Sequence, residues 1–169
     1  MLSLTKKADY ALVALTHLAG NHDEHTPPTS ARHIADAYQL PLALLMNILK
    51  DLAAADIVAS TRGARGGYHL QRQPDAITLL DVFTALEGPI HLVQCCDDAD
   101  ERNKSCRHHG SCPIENPMQR LDRRMRAFFH SVTLDDLVTD KPDPIPTTPL
   151  ASNNGKTPTL NVLNREKQP

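Results

Sequence analysis

The chain has no tryptophan, and its 169 residues include only three tyrosines and three phenylalanines. With so few aromatics and 40% hydrophobic content it reads as a soluble, mainly helical protein. No window reaches the ~18 consecutive apolar residues that suggest a membrane span. The opening "MLSLTKKADYALVALTHLAG" interrupts its short apolar run with Lys6, Lys7 and Asp9. It therefore lacks the long hydrophobic region and small-residue cleavage site of a secretory signal. These absences predict a cytoplasmic protein, in a compartment where disulfides are rare. An excess of charge of either sign is also missing. With a formal net charge of −2, any basic surface that meets nucleic acid must be local. There is no nucleotide-binding glycine motif, no Ser/His/Asp arrangement and no recognisable pair of catalytic carboxylates, which speaks against an enzyme.

Cysteine is absent everywhere except in one stretch. "QCCDDADERNKSCRHHGSC" holds Cys95, Cys96, Cys106 and Cys112 among charged and polar neighbours. Packing thiols would scatter through the core. Thiols concentrated in a polar loop point instead to metal binding or redox response.

The rest is organised around short helices. Thr5 is placed to cap a first helix carrying Ala8, Leu12, Leu15 and Ala19, with Gly20 as its stop. "NHDEHTPPT" reads as a loop. Ser30 opens a short helix, "ARHIADAY", with Ile34 and Ala35 facing inward, and Gln39 to Pro41 form a turn. Pro41 suits the first position of the next helix, which carries Leu42, Leu45, Leu49 and Leu52 and runs to Ala55. Two helices joined so tightly read as a helix-turn-helix.

Two short strands are predicted next, "DIVAST" and "YHLQ", joined by the glycine-rich "RGARGG". A hairpin directly after a helix-turn-helix is the winged-helix arrangement. Thr78 caps "LLDVFTALEG". Asn116, followed by Pro117, is the expected N-cap of a longer helix ending near Ser131. Its apolar positions, Met118, Leu121, Met125, Phe128 and then Val132, form a narrow stripe beside Arg120, Arg123, Arg124 and Arg126. Such a seam packs on a partner helix. Thr133 caps a last helix, "LDDLV".

The resulting fold class is mainly α: a winged helix-turn-helix with a small two-stranded β-wing and a long C-terminal dimerisation helix. The expected divisions are 1–88 for the winged helix and 89–113 for the cysteine loop. Residues 114–139 hold the dimerisation helix and its short successor. Residues 140–169, rich in Pro, Ser, Thr and Asn, form a disordered tail.

On the recognition helix Asn47 and Lys50 face outward. Asn pairs bidentately with adenine, and Lys meets phosphate or guanine. Arg62 and Arg65 on the wing reach phosphates or a minor groove. The same geometry also serves protein–protein contact, though DNA reading is the stronger interpretation. Leu44 and Met46 make the outward face unusually apolar. For the cysteines, spacing alone leaves three chemistries open: an iron–sulfur cluster, zinc and a reversible thiol switch. His108 and His109 lie between two of the thiols, and His33 could join from a distance.

"LTKKADYALVAL", "RGARGGYHL", "ITLLDVFTALEGPI", "LVQC" and "SVTLDDLV" resemble, in order and spacing, the winged-helix iron–sulfur regulators that include IscR, NsrR and RirA. The likeness is strongest to the proteobacterial branch that regulates SUF cluster assembly, and it covers about residues 1–138. It implies a homodimeric transcription regulator bound to a palindromic operator in double-stranded DNA. It also implies a cluster held by three cysteines and one further ligand. Matched by motif, the cysteines are Cys95, Cys106 and Cys112, with Cys96 an extra thiol able to substitute. IscR-like proteins take the fourth ligand from a His three residues after the last Cys, where this chain has Glu115. NsrR-like proteins take it from an Asp in the partner's first helix, where this chain has Asp9. Asp9 is favoured, and Glu115, His108, His109 and His33 are the alternates. An Asp ligand across the dimer favours [4Fe–4S] over [2Fe–2S]. The Cys95–Cys106 interval is longer than in IscR, and Met46 stands where IscR carries an acidic operator-reading residue. The alternative function is a cluster-free thiol-redox regulator that uses the same cysteines.

Overall fold

Side-chain caps set the helix starts. In the computed structural model, which describes residues 5–21, 27–63, 66–92 and 111–139, Thr5 accepts the Ala8 N–H and opens α1 (Lys6–Gly20). Ser30 accepts the His33 N–H and opens α2 (Ala31–Tyr38). Each hydroxyl satisfies an amide that has no partner in the first helical turn. Gly20 lies inside α1, and Asn21 rather than Gly20 caps its end. The turn after α2 uses Gln39 in the left-handed region, φ 54°. Pro41 then acts as N-cap of α3 (Leu42–Ala54) rather than as its first residue.

Asp56, also at positive φ (55°), turns the chain out of α3 into β1 (Val58–Thr61), which pairs antiparallel with β2 (Gly67–Leu70). A bridge from Thr29 to Tyr68 adds the segment before α2 to this hairpin. A 3-10 turn at Pro74–Ala76 follows, which the sequence reading did not anticipate. Thr78 and Asp81 form a reciprocal capping box at the start of α4 (Leu79–Glu87). Thr133 and Asp136 form a second one at α6 (Leu134–Val138).

The long helix α5 (Glu115–Ser131) begins earlier than expected. Ile114 is its N-cap position, and Asn116 and Pro117 lie within the first turn. Proline is tolerated there because first-turn amides have no intrahelical acceptor.

Leu15, Ile34, Leu45, Ile48, Leu49, Leu52, Ile57, Val82 and Leu134 are fully buried in one core. Each such side chain contributes about 1.5–3 kcal/mol of transfer free energy. Leu134 brings α6 back onto α1, so the chain after α5 returns to the winged helix. Lys7 ties three elements together, with Nζ donating to the Leu86 carbonyl at 2.7 Å and sitting 2.9 Å from Asp51 Oδ2. Lys7 of α1 thereby reaches both α3 and α4. Among the described residues no helix is long and apolar enough to cross a membrane.

Candidate nucleic-acid interface and thiol site

The apolar side of α3 (Leu45, Ile48, Leu49 and Leu52) is sunk in the core. Helical periodicity therefore turns Ala43, Met46, Asn47 and Lys50 outward, and all four are exposed. Leu44 is half-buried and packs against the core, so it does not belong to the outward face. Met46 does, and its apolar side chain is exposed. This leaves a ridge with an amide, an ammonium and one thioether. Such a ridge can enter a major groove, with Asn47 and Lys50 one turn apart.

Arg62 is exposed just beyond β1. Arg65 lies outside the described residues. An open cleft of about 400 Å³ sits between the wing and the start of α2, lined by Ser30, Ser60, Thr61, Arg62 and Tyr68 with the backbone of Gly66 and Gly67. Hydroxyls, a guanidinium and a helix N-terminus around one cleft suit a phosphate group. The sequence reading named only the arginine. Ser30, counted there as a helix cap, and Tyr68, counted as strand, join it because the Thr29–Tyr68 bridge draws the two segments together.

Cys112 is a free, half-buried thiol directly before α5, and its carbonyl accepts the Glu115 N–H at 3.3 Å. Glu115 is the first residue of that helix. Asp9 is exposed in the first turn of α1. His33 is exposed on α2 with its ring 5.7 Å from that of His17, and His17 Nδ1 lies 3.2 Å from Tyr38 Oη. Burial, and secondarily the nearby His33, push the His17 pKa below its usual value. Cys95, Cys96, Cys106, His108 and His109 lie outside the described residues, as does the tail from 140. Among the described residues no group of three or more His, Cys, Asp or Glu side chains forms a metal site.

One residue beside this loop was missed from sequence. Asp122 of α5 is only 1% exposed. Its Oδ1 accepts the Leu92 N–H at 2.9 Å, while Oδ2 lies 3.3 Å from Arg126 Nε and 3.7 Å from His91 Nδ1. A buried carboxylate is tolerable only with such partners. The i,i+4 relation to Arg126 was visible in the sequence, whereas the burial was not.

Residues 4–140 match the family profile Rrf2, described as "Iron-dependent Transcriptional regulator". The HTH-type transcriptional regulator CymR of Bacillus subtilis is 32% identical over 138 residues, covering 82% of this chain and 91% of CymR. The solved structure of CymR, described as the global cysteine regulator of B. subtilis, superposes with a TM-score of 0.64 at 34% identity, covering 84% of this chain and all of CymR. The structure of T. potens IscR gives 0.58 at 27% identity, covering 81% of this chain and 86% of that one.

Proposed function

Because the chain belongs to the Rrf2 family of iron-dependent transcriptional regulators, and is thus a DNA-binding regulator rather than an enzyme, we propose that it acts as a cytoplasmic homodimer that senses iron–sulfur status. The observation that carries this reading is the confinement of all four cysteines to residues 95–112, with the last a free thiol at the foot of α5.

The donor set fits a cluster in its three thiolates, the usual iron–sulfur ligands, with a carboxylate oxygen as the proposed fourth donor. Cys95, Cys106 and Cys112 would hold it, with Asp9 of the partner subunit as fourth ligand and Cys96, Glu115, His108, His109 or His33 as substitutes. A [4Fe–4S] cluster is favoured over [2Fe–2S]. Bound there, it would supply an oxidisable centre linking the cysteine loop to the opposite subunit. Leu121 and Phe128, exposed along α5, would pack on the partner's α5. Asn47 and Lys50 would read base edges in each half of a palindrome, and Arg62 and Arg65 would grip its backbone. Ligation would bias the relative positions of the two reading heads and hence operator affinity.

The test is anaerobic purification with absorbance and native mass spectrometry, comparing wild type with Asp9→Ala. A brown dimer carrying [4Fe–4S] that the substitution destabilises supports the whole reading. A [2Fe–2S] mass indifferent to Asp9 moves the fourth ligand to an alternate.

The likeness to CymR, described as a global cysteine regulator, favours a second reading. Here Cys95 or Cys96 forms a reversible disulfide with Cys106 or Cys112 and no iron is bound. A colourless protein with a redox-dependent mobility shift would establish it.

A further inference from the structure

We propose that Met46 reads the 5-methyl group of thymine in the major groove and so is a specificity-determining residue of α3. The inference rests on the DNA-reading part of the reading above and not on its cluster.

Met46 is 42% exposed, and of the large apolar side chains exposed among the described residues it alone lies on α3. A single exposed apolar residue needs no explanation on an ordinary surface. This one stands on the face that α3 turns outward, in company with Ala43, Asn47 and Lys50, all exposed. Leu45, Ile48, Leu49 and Leu52 hold the other face of the helix in the core. The helix therefore cannot roll to hide the thioether without drawing those side chains into water.

Each residue turns about 100° around an α-helix. Met46 and Asn47 thus project to the two flanks of a ridge whose crest is Ala43 and Lys50. An A·T pair presents two different edges in the major groove: the N7 and N6 of adenine, which hydrogen-bond, and the methyl group of thymine, which does not. Asn47 matches the first edge and Met46 the second.

Met46 carries no hydrogen-bond donor, and its sulfur is only a weak acceptor. Set against the cytosine amine or the guanine O6, it would take a polar group out of water without replacing the lost hydrogen bond, which is costly. Set against the thymine methyl, it removes apolar surface from water, which is favourable. Preference for thymine comes from the attraction and from the penalty on the other bases together. The unbranched thioether chain has the torsional freedom to fit itself to the methyl.

The experiment uses the full-length, anaerobically purified protein and a library of random-sequence DNA duplexes. The enriched duplex is remade with deoxyuridine in place of each thymidine in turn, which removes the methyl group and nothing else. One thymine position in each half-site should respond, affinity falling about fourfold per half-site, as expected for one buried methyl-sized group. Met46→Ala should no longer distinguish the thymine duplex from its deoxyuridine counterpart. Met46→Leu, which conserves volume and apolarity, should keep most of the discrimination. Because the side chain is exposed, both substitutions leave the core intact. Wild type binding every deoxyuridine duplex as tightly as the parent overturns the proposal. A loss that Met46→Ala shows in full also overturns it, since the methyl is then felt through the DNA or another residue. If the library yields no enriched sequence, base reading by α3 fails and this inference with it. An enriched sequence indifferent to its thymine methyls overturns this inference alone.

Discussion

Thr29 and Tyr68 hold each other through a pair of backbone hydrogen bonds, Tyr68 N–H to Thr29 O at 2.8 Å and Thr29 N–H to Tyr68 O at 2.9 Å. This bridge fastens the wing to the segment that starts α2, and the open cleft lies between them. Gly67 makes the approach possible. A Cβ there would stand 2.6 Å from the Thr29 carbonyl carbon and oxygen, which are backbone atoms unable to move aside alone. Gly67→Ala should therefore cost about 1–3 kcal/mol, as overpacking does, and weaken operator binding together with stability. Urea unfolding and fluorescence anisotropy check both. Unchanged stability would show that the bridge yields without penalty.

Leu121 is 51% exposed and Phe128 43% exposed on the same side of α5, while Phe129 turns inward to meet Phe83 edge-on at 5.2 Å. One helix thus serves the core with one residue and presents its neighbour outward. If the outward stripe is the dimer seam, replacing Leu121 and Phe128 by Ser should remove roughly 3 kcal/mol or more of burial. That is about a hundredfold or more in dimer dissociation constant. Sedimentation velocity measures it, and an unshifted dimer would place the seam elsewhere.

Much of this architecture was legible because its signals are local. Thr5, Ser30, Thr78 and Thr133 each accept an amide three residues ahead, and that pattern needs no tertiary context. The buried face of α3 follows from helical periodicity, and Asn47 and Lys50 were readable as its complement. Asp122 was not. Its Oδ1 accepts the amide of Leu92, thirty residues earlier in the chain, a partner that no spacing rule connects to it. The start of α5 was misplaced for a related reason. Asn116 looks like a cap, but the turn at Cys112, whose carbonyl accepts the Glu115 N–H, begins the helix two residues sooner. Leu44 was assigned to the groove because its contacts with the core come from other elements.

His17 gives stability a pH dependence of known sign. Its imidazole pKa is lowered from 6.5 in the folded chain, first by burial and then by the charge of His33. The unfolded chain therefore binds the proton more readily. The contribution of this group is complete above about pH 6.5 and is lost as pH falls towards the lowered folded value. The groups facing it are His33 and Tyr38 of α2. His17→Asn should flatten the acid limb of a melting-temperature profile below about pH 6.5. A profile that keeps its slope would assign the acid sensitivity to other groups.

If Arg62 and Asn47 meet DNA as proposed, two different signatures follow. Arg62 is exposed on the wing beside the cleft, and Lys50 is exposed on α3. A side chain that neutralises a phosphate releases a condensed counterion, so each lost contact lowers the slope of log affinity against log salt by about 0.9. In a symmetric dimer Arg62→Ala removes two such contacts. The slope should fall by about 2, and specific and non-specific DNA should weaken alike. Asn47→Ala should behave oppositely. Losing a bidentate base contact costs about 1–3 kcal/mol on the specific site alone and leaves the salt slope unchanged. Titrations of operator and scrambled duplex at several salt concentrations separate the two. A salt slope that Arg62→Ala leaves unaltered removes the wing from the interface. A uniform loss on Asn47→Ala makes that residue a backbone contact and leaves base reading to Met46, Lys50 and the shape of the DNA itself.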